Sequence, residues 1–273
     1  MSENKILLSF DVELWNETAW LNPYITKDLL EKDTFPESIN KILGVLRKTK
    51  SSATFFVTLE VTEKYPEIIK NIYSLEHEIG IHGPRHKKLK DYSKEEFKTD
   101  CIKQIKLIEE ITGKRPVGYR APHFSVNRET FWAIETLKDL GFLYDSSIFP
   151  MNMGEYGISG IKTTTHEILP NFSETPVSVA QIGPFKTPFA GGIYFRALPY
   201  FIFKFLLKNT LKKQNVVLYF HPHELESSTP KIKSGPWLKR KLKYFGINSS
   251  FRKFEKLANC YIFESVNDTF LKL

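Results

Sequence analysis

Short apolar runs that alternate with helix-patterned segments constrain this 273-residue chain more than any other feature. Ile6–Phe10, Ala53–Val57 and Val216–Phe220 are too short for core helices and fit strands covered on both faces. Glu78–His82, Val117–Arg120 and Phe142–Asp145 read as further short strands. Between them the apolar spacing turns helical. Pro36–Lys48 carries Ile39, Ile42, Leu43 and Leu46 behind an early proline, and Pro66–Leu75 repeats the pattern. Ser93 with Glu96 forms a capping-box signature for a helix that ends at Gly113. Arg128–Leu140, stopped by Gly141, and Pro199–Lys212 complete the helical set. From about 150 to 192 the pattern dissolves into loops and weak strands such as Ile168–Leu169 and Val177–Ile182. Strand–helix alternation at this spacing predicts parallel strands joined by crossover helices. With no internal repeat or linker, the expected fold class is α/β: a single distorted parallel (β/α) barrel of about seven strands over 1–273, with a basic C-terminal extension from about 225.

Charge and composition narrow the partners. No stretch approaches the roughly 20 apolar residues of a membrane span. The opening MSENKILLSFDVE leaves no room for a signal peptide, so a cytoplasmic protein is expected. Cys101 and Cys260 lack metal spacing and read as buried free thiols. The net charge is +8, and residues 204–256 hold 13 Lys and Arg against 3 Glu. Such a region favours phosphate-bearing or membrane partners. Nucleic acid is not expected, because no recognition motif accompanies the charge.

Reactive side chains collect at the predicted strand ends. Asp11 and Glu13 follow strand one, and His82 and His86 strand three. Arg120, Pro122 and His123 follow strand four, Asp145 and Ser146 end strand five, and His221, His223 and Glu224 follow the last strand. In a parallel barrel that edge carries the active site. In His82-Gly-Pro-Arg-His86 one helical turn would bring both imidazoles to one side. If strand one continues, Asp11 and Glu13 share a face. Two histidines and one carboxylate suit a catalytic divalent metal, and the second carboxylate is then free to act as a base.

These residues, taken in order from Ile6 to about Glu224, resemble carbohydrate esterase family 4, the polysaccharide deacetylases. SFDVE, HGPRH, RAPHF, Tyr144-Asp145-Ser146-Ser147 and LYFHPHE resemble its five motifs in sequence order. Ala190–Tyr200 resembles a subgroup found with exopolysaccharide and surface-glycan genes. The resemblance implies Asp11 as base, Glu13, His82 and His86 as ligands of one divalent ion (zinc, with cobalt, nickel or manganese as alternatives), and His221 as acid. It implies Arg120 as the partner of Asp11 and Asp145 as a residue that holds or tunes His221. Pro122, His123, Phe124, Tyr194 and Arg196 become expected substrate residues. Three departures stand out. The usual adjacent aspartates are Asp11 and Glu13 separated by Val12, which leaves a swap of their roles open. Gly83 replaces a Ser or Thr, and His223 stands where an aromatic residue is common, which makes it the runner-up acid.

The implied reaction is metal-dependent hydrolysis of an N-acyl group, N-acetyl first, from a sugar in surface-glycan biosynthesis. Alternatives are deformylation or deacylation of a lipid-linked or nucleotide-linked amino sugar, and a non-catalytic glycan-binding protein. The loop Leu14–Tyr24 holds Trp15, Trp20 and Tyr24 and is expected to cover the groove, with Trp20 stacking on sugar; the alternative is that its tryptophans pack the loop on the barrel. The segment Gly235–Phe245 mixes clustered cations with aromatics. That suits a helix lying on an anionic membrane surface, peripheral to its inner face, or else an amphipathic helix packed on the barrel.

Overall fold

The computed structural model describes residues 4–17, 21–154 and 156–270. Strands β1 (Ile6–Val12), β2 (Thr54–Val57), β3 (Glu78–Ile81), β4 (Gly118–Tyr119) and β5 (Tyr144–Asp145) follow one another across a single sheet. β6 (His166–Leu169) and β7 (Phe172–Glu174) extend it beyond β5, and β8 (Val179–Ile182) and β9 (Phe185–Pro188) form a separate hairpin. β10 (Val216–Phe220) lies on the other side of β1, and β11 (Phe263–Glu264) pairs with the start of β1. The order is β10-β1-β2-β3-β4-β5-β7-β6, parallel throughout except for the β6–β7 pair. This is the expected parallel α/β arrangement, curled rather than closed: among the described residues no ladder joins β10 to the β7 side.

The helices are α1 (Lys27–Leu30), α2 (Phe35–Thr49), α3 (Leu59–Lys64), α4 (Pro66–Ser74), α5 (Lys94–Thr112), α6 (Trp132–Asp139), α7 (Gly192–Ala197), α8 (Tyr200–Leu211), α9 (Trp237–Tyr244) and α10 (Ile247–Ala258). α2 buries the anticipated Ile39, Ile42, Leu43 and Leu46. α5 begins with the complete Ser93–Glu96 capping box and ends at left-handed Gly113. α6 starts later than its apolar spacing predicts. The Asn127 side chain accepts the Glu129 and Thr130 N–H groups at 2.9 and 3.1 Å, so a local turn takes the place of the first helical turn.

The chain after 225 is integral to this body. Phe254, Leu257 and Ala258 of α10 join the main core beside Phe10 and Phe220, and β11 enters the sheet. Cys101 is buried as expected, but Cys260 is exposed, because it follows α10 on the outer surface rather than facing the core.

Candidate metal centre and active site

β1 lies between β10 and β2 and is buried along its whole length, so the polar groups on it need partners. Ser9 and Asp11 find theirs in Arg120, the residue after β4. The Arg120 Nη1 donates to Asp11 Oδ1 at 2.8 Å and to Ser9 Oγ at 2.7 Å. Its Nε and Nη2 donate to the carbonyl and hydroxyl of Ser146 at 3.0 and 2.7 Å, and its guanidinium carbon sits 4.4 Å from the Phe56 ring centre. Arg120 is fully buried and fixed along its whole fork. Burial alone would raise the Asp11 carboxyl, but the positive charge of Arg120, with His82 and His221, outweighs it and keeps the group below its ordinary range.

Glu13 turns off the end of β1 toward two imidazoles. His82 follows β3, and its Nδ1 is 3.1 Å from the Arg120 carbonyl. The Nδ1 of His86 is 3.0 Å from the Glu17 carbonyl. A carbonyl can only accept, so each ring carries a proton on Nδ1 and turns its Nε2 toward Glu13. His82 Nε2 lies 4.0 Å from Glu13 Oε2, and His86 Nε2 is in direct contact with the same oxygen. The ligand atoms of Glu13, His82 and His86 all lie within 4.8 Å of one another. Burial pulls His82 down to about 4, so it is neutral and able to coordinate. Burial works against the charged His86 ring, but the Glu13 carboxylate in contact with it outweighs that and raises its pKa. Two imidazoles fixed through Nδ1 and one carboxylate fit a divalent metal ion.

The route to this cluster differs from the expected helical turn. His82 ends strand pairing by donating its N–H to the Val57 carbonyl at 2.8 Å, and the chain then bends through left-handed Gly83 (φ 52°) to left-handed His86 (φ 50°). Pro84 therefore lies in a turn and not in a helix. Gly83 has a second reason to be glycine: a Cβ there would lie 2.3 Å from Pro122 Cδ, so a Ser or Thr could not occupy the position without a shift.

On the β10 side, His221 presents its Nε2 to the carboxylates, 3.9 Å from both Asp11 Oδ2 and Glu13 Oε1. Its Nδ1 is 3.1 Å from Glu224 Oε2, and Glu224 in turn receives Arg196 Nη2 at 2.9 Å. Burial works against the charged ring, but Glu224, Glu13 and Asp11 push it up to about 9. His223 goes the opposite way. Burial and the nearby Lys243 ammonium hold it down to about 3, and among the described residues its Nδ1 has no hydrogen-bond partner.

Two expected roles are corrected by this geometry. The group that orients His221 is Glu224, three residues on in the same 3-10 turn, not Asp145. Asp145 instead accepts from the N–H and hydroxyl of Ser147, whose Oγ receives the Ala121 N–H at 2.6 Å, and it shares a buried site with Glu174. It braces the strand end that carries Arg120. Arg196 does not face a groove: it is buried, tied to Glu224 and to the Lys243 and Phe245 carbonyls. Its long side chain is consumed by the pair that holds the histidine.

Of the other expected substrate residues, His123 is half-buried, with its ring 4.9 Å from that of His86. Pro122 packs on Gly83, and Phe124 is buried edge-on against Tyr219. Tyr194 is half-buried beside Tyr156. Trp15 packs with Leu21 and Ile232 in a small core of its own, as loop packing requires, and Trp20 lies outside the described residues. Ser146 stands among the strand-end residues of the sequence, with no partner expected for it; the roles of Ser9 and Lys243 were not anticipated. The His-x-x-Glu spacing of 221 and 224 was the available signal for Glu224; nothing in the sequence marks Lys243, which arrives from a remote helix.

The polysaccharide deacetylase family model matches residues 2–144, more than half of the chain, and a domain of unknown function, DUF3473, matches residues 146–271. The peptidoglycan deacetylase of Helicobacter pylori is 27% identical over 157 residues, covering 56% of this chain and 53% of that protein, so the chain spans about half the length of this curated relative. A structure from Mycobacterium smegmatis, assigned as a polysaccharide deacetylase, superposes with a TM-score of 0.55 at 18% identity, covering 98% of this chain and 91% of that one. A CE4 family pseudoenzyme from Bacillus anthracis superposes with a TM-score of 0.51 at 14% identity, covering 98% of this chain and 66% of its own. At these identities the superpositions speak for the fold alone, whereas the matched sequence segment carries both carboxylates, both metal-type histidines and Arg120: the chain belongs to the polysaccharide deacetylase family.

Proposed function

We propose that the chain is a metal-dependent hydrolase that removes an N-acyl group, N-acetyl first, from an amino sugar of a surface glycan. The observation that carries this reading is the division of labour between two buried carboxylates two residues apart. Glu13 faces the Nε2 atoms of His82 and His86, while Asp11 is held by Arg120 and faces His221. A purely structural pair would not need one acid between two imidazoles and the other under a guanidinium.

A divalent ion held by Glu13, His82 and His86, zinc first, would polarise the acyl carbonyl and lower the pKa of water at the site. Asp11, kept ionised by Arg120, takes the proton from water as it attacks the acyl carbon. Arg120 fixes the Asp11 Oδ1 and leaves Oδ2 turned toward the reaction space, where His221 Nε2 lies 3.9 Å away. His221, protonated and held through Nδ1 by Glu224, gives its Nε2 proton to the departing amine. An unprotonated amine is a poor leaving group, so the acid is required. His223, neutral and unable to hold a proton near neutrality, is the weaker candidate.

The test is acid release from N-acetyl and N-formyl amino sugars, free, nucleotide-linked and polyprenyl-linked, with and without a chelator. Acetate release that stops on chelation and returns with zinc supports the reading. Formate release alone would move the substrate to a formamido sugar. Glycan binding with no release of either acid would leave a non-catalytic glycan-binding protein.

A further inference from the structure

Helix α9 is mounted opposite to the usual arrangement of an amphipathic helix. Of its eight residues the only buried one is Lys243. Its Nζ donates to the Trp15 carbonyl at 3.0 Å, two residues beyond Glu13. The apolar side chains point away from the body: Trp237, Leu238, Leu242 and the following Phe245 are 66%, 53%, 39% and 47% exposed. A helix packed on a core buries its apolar stripe, so this inversion needs another reason.

The orientation is pinned. Arg240 Nη1 donates to the Lys233 carbonyl at 2.6 Å, and the Tyr244 hydroxyl receives the Ile232 N–H at 2.9 Å and lies 3.1 Å from the Pro230 carbonyl. Arg196 Nη1 holds the Lys243 carbonyl at 3.0 Å. Tyr24, itself partly exposed, packs its ring on Gly235 and widens the apolar surface at the start of the helix.

Charge decides what this surface fits. Residues 227–254 contain eight Lys and Arg and no Asp or Glu. Lys231, Lys233, Lys239 and Lys241 are all exposed. An exposed apolar patch alone would suit any macromolecular partner, but an aromatic and leucine centre on a segment whose charged residues are all cations matches anionic headgroups over acyl chains. We infer that the outward face of α9 docks on an anionic lipid bilayer, with Trp237, Leu238, Leu242 and Phe245 at the headgroup boundary and Lys239 and Lys241 at the phosphates. Because Lys243 ties the same helix to the loop after Glu13, docking brings the mouth of the metal centre, not the far end of the sheet, to the membrane.

Co-sedimentation of the full chain with vesicles tests this without reference to activity, so its failure leaves the hydrolase reading standing. The probes are vesicles of phosphatidylglycerol mixed with phosphatidylcholine, and of phosphatidylcholine alone. The full chain should pellet with the first and not the second, and less at high salt. Lys239→Gln with Lys241→Gln should weaken binding roughly tenfold or more, and Trp237→Ala several-fold. Ile262→Ser, which removes an equally exposed apolar residue beside β11, should change nothing. Equal binding to both vesicles, no binding to either, or binding undiminished in the α9 variants overturns the inference. So does a Trp237-dependent dimer in ultracentrifugation that ignores vesicles.

Discussion

The two ends of strand β3 carry buried titratable groups under opposite regimes. At its C-terminal end, His82 joins Glu13, Asp11, Arg120 and His221 in a cluster where charges of both signs meet across four strands. The carboxylates there stay ionised despite burial. At its N-terminal end, the hydrogen bonds that Glu78 accepts among the described residues come from neutral donors: the Thr54 hydroxyl at 2.5 Å, the Tyr144 hydroxyl at 2.8 Å and the Asn267 N–H at 3.0 Å. Its carboxyl is pushed up by burial, and neighbouring His77, with no partner for Nδ1 among the described residues, is driven down to about 4. These groups border a cavity of about 450 Å³. The same desolvation acts at both ends: at the C-terminal end Arg120 and the imidazoles outweigh it for the two carboxylates, and at the N-terminal end it prevails for Glu78.

The comparison can be broken most severely at the ligands. His82→Ala or His86→Ala should abolish stoichiometric metal and with it all activity, read by elemental analysis and acid release. Metal retained in both variants would mean the site lies elsewhere. Next comes the cation that permits Asp11 to stay charged. Arg120→Met leaves that carboxylate buried without its partner and should cost about 3–5 kcal/mol of stability in denaturant unfolding. Arg120→Met with Asp11→Asn should recover part of that loss, because the uncompensated charge is gone.

Glu224→Gln tests the acid. The loss of its negative charge lowers the affinity of His221 for its proton, so the alkaline limb of the pH–rate profile should move to lower pH, with roughly a 10–100-fold loss of rate at neutral pH. A profile that keeps its limb would remove Glu224 from that role. The last test sits at the opposite end of β3. Burial depresses the folded-state pKa of His77 below its unfolded value of 6.5, so the unfolded chain binds more protons between about pH 6.5 and 4. Its contribution is intact above pH 6.5 and is lost as pH falls through that window, to the extent of roughly 3 kcal/mol. Glu78, whose pKa is raised, works in the opposite sense. The comparison is therefore wild type against His77→Phe, whose stability should fall less on acidification.

How much of this was legible in the chain depended on range. Strand and helix positions followed from apolar spacing and caps, which are local, and the strand-end clustering of Asp11, His82, Arg120 and His221 followed from the order of elements. The HGPRH segment is a turn and not a helix because Gly83 and His86 take left-handed backbone angles, and residue spacing reveals neither these nor the approach of Pro122 to Gly83. Asp145 was given a partner on β10 that lies beyond its reach, since Ser147 and Glu174 absorb its oxygens. Arg196 and Lys243 are tertiary facts: each reaches the centre from a helix far along the chain, and no periodicity in α7 or α9 says which residue points inward.

The central claim is that Glu13 binds metal and Asp11 does not. Metal content and acid release, measured together on Asp11→Asn and Glu13→Gln, test it most directly. The account predicts that Asp11→Asn keeps one equivalent of metal while losing roughly 10²–10⁴-fold in rate, and that Glu13→Gln loses the metal. Metal lost from Asp11→Asn and retained in Glu13→Gln would contradict it.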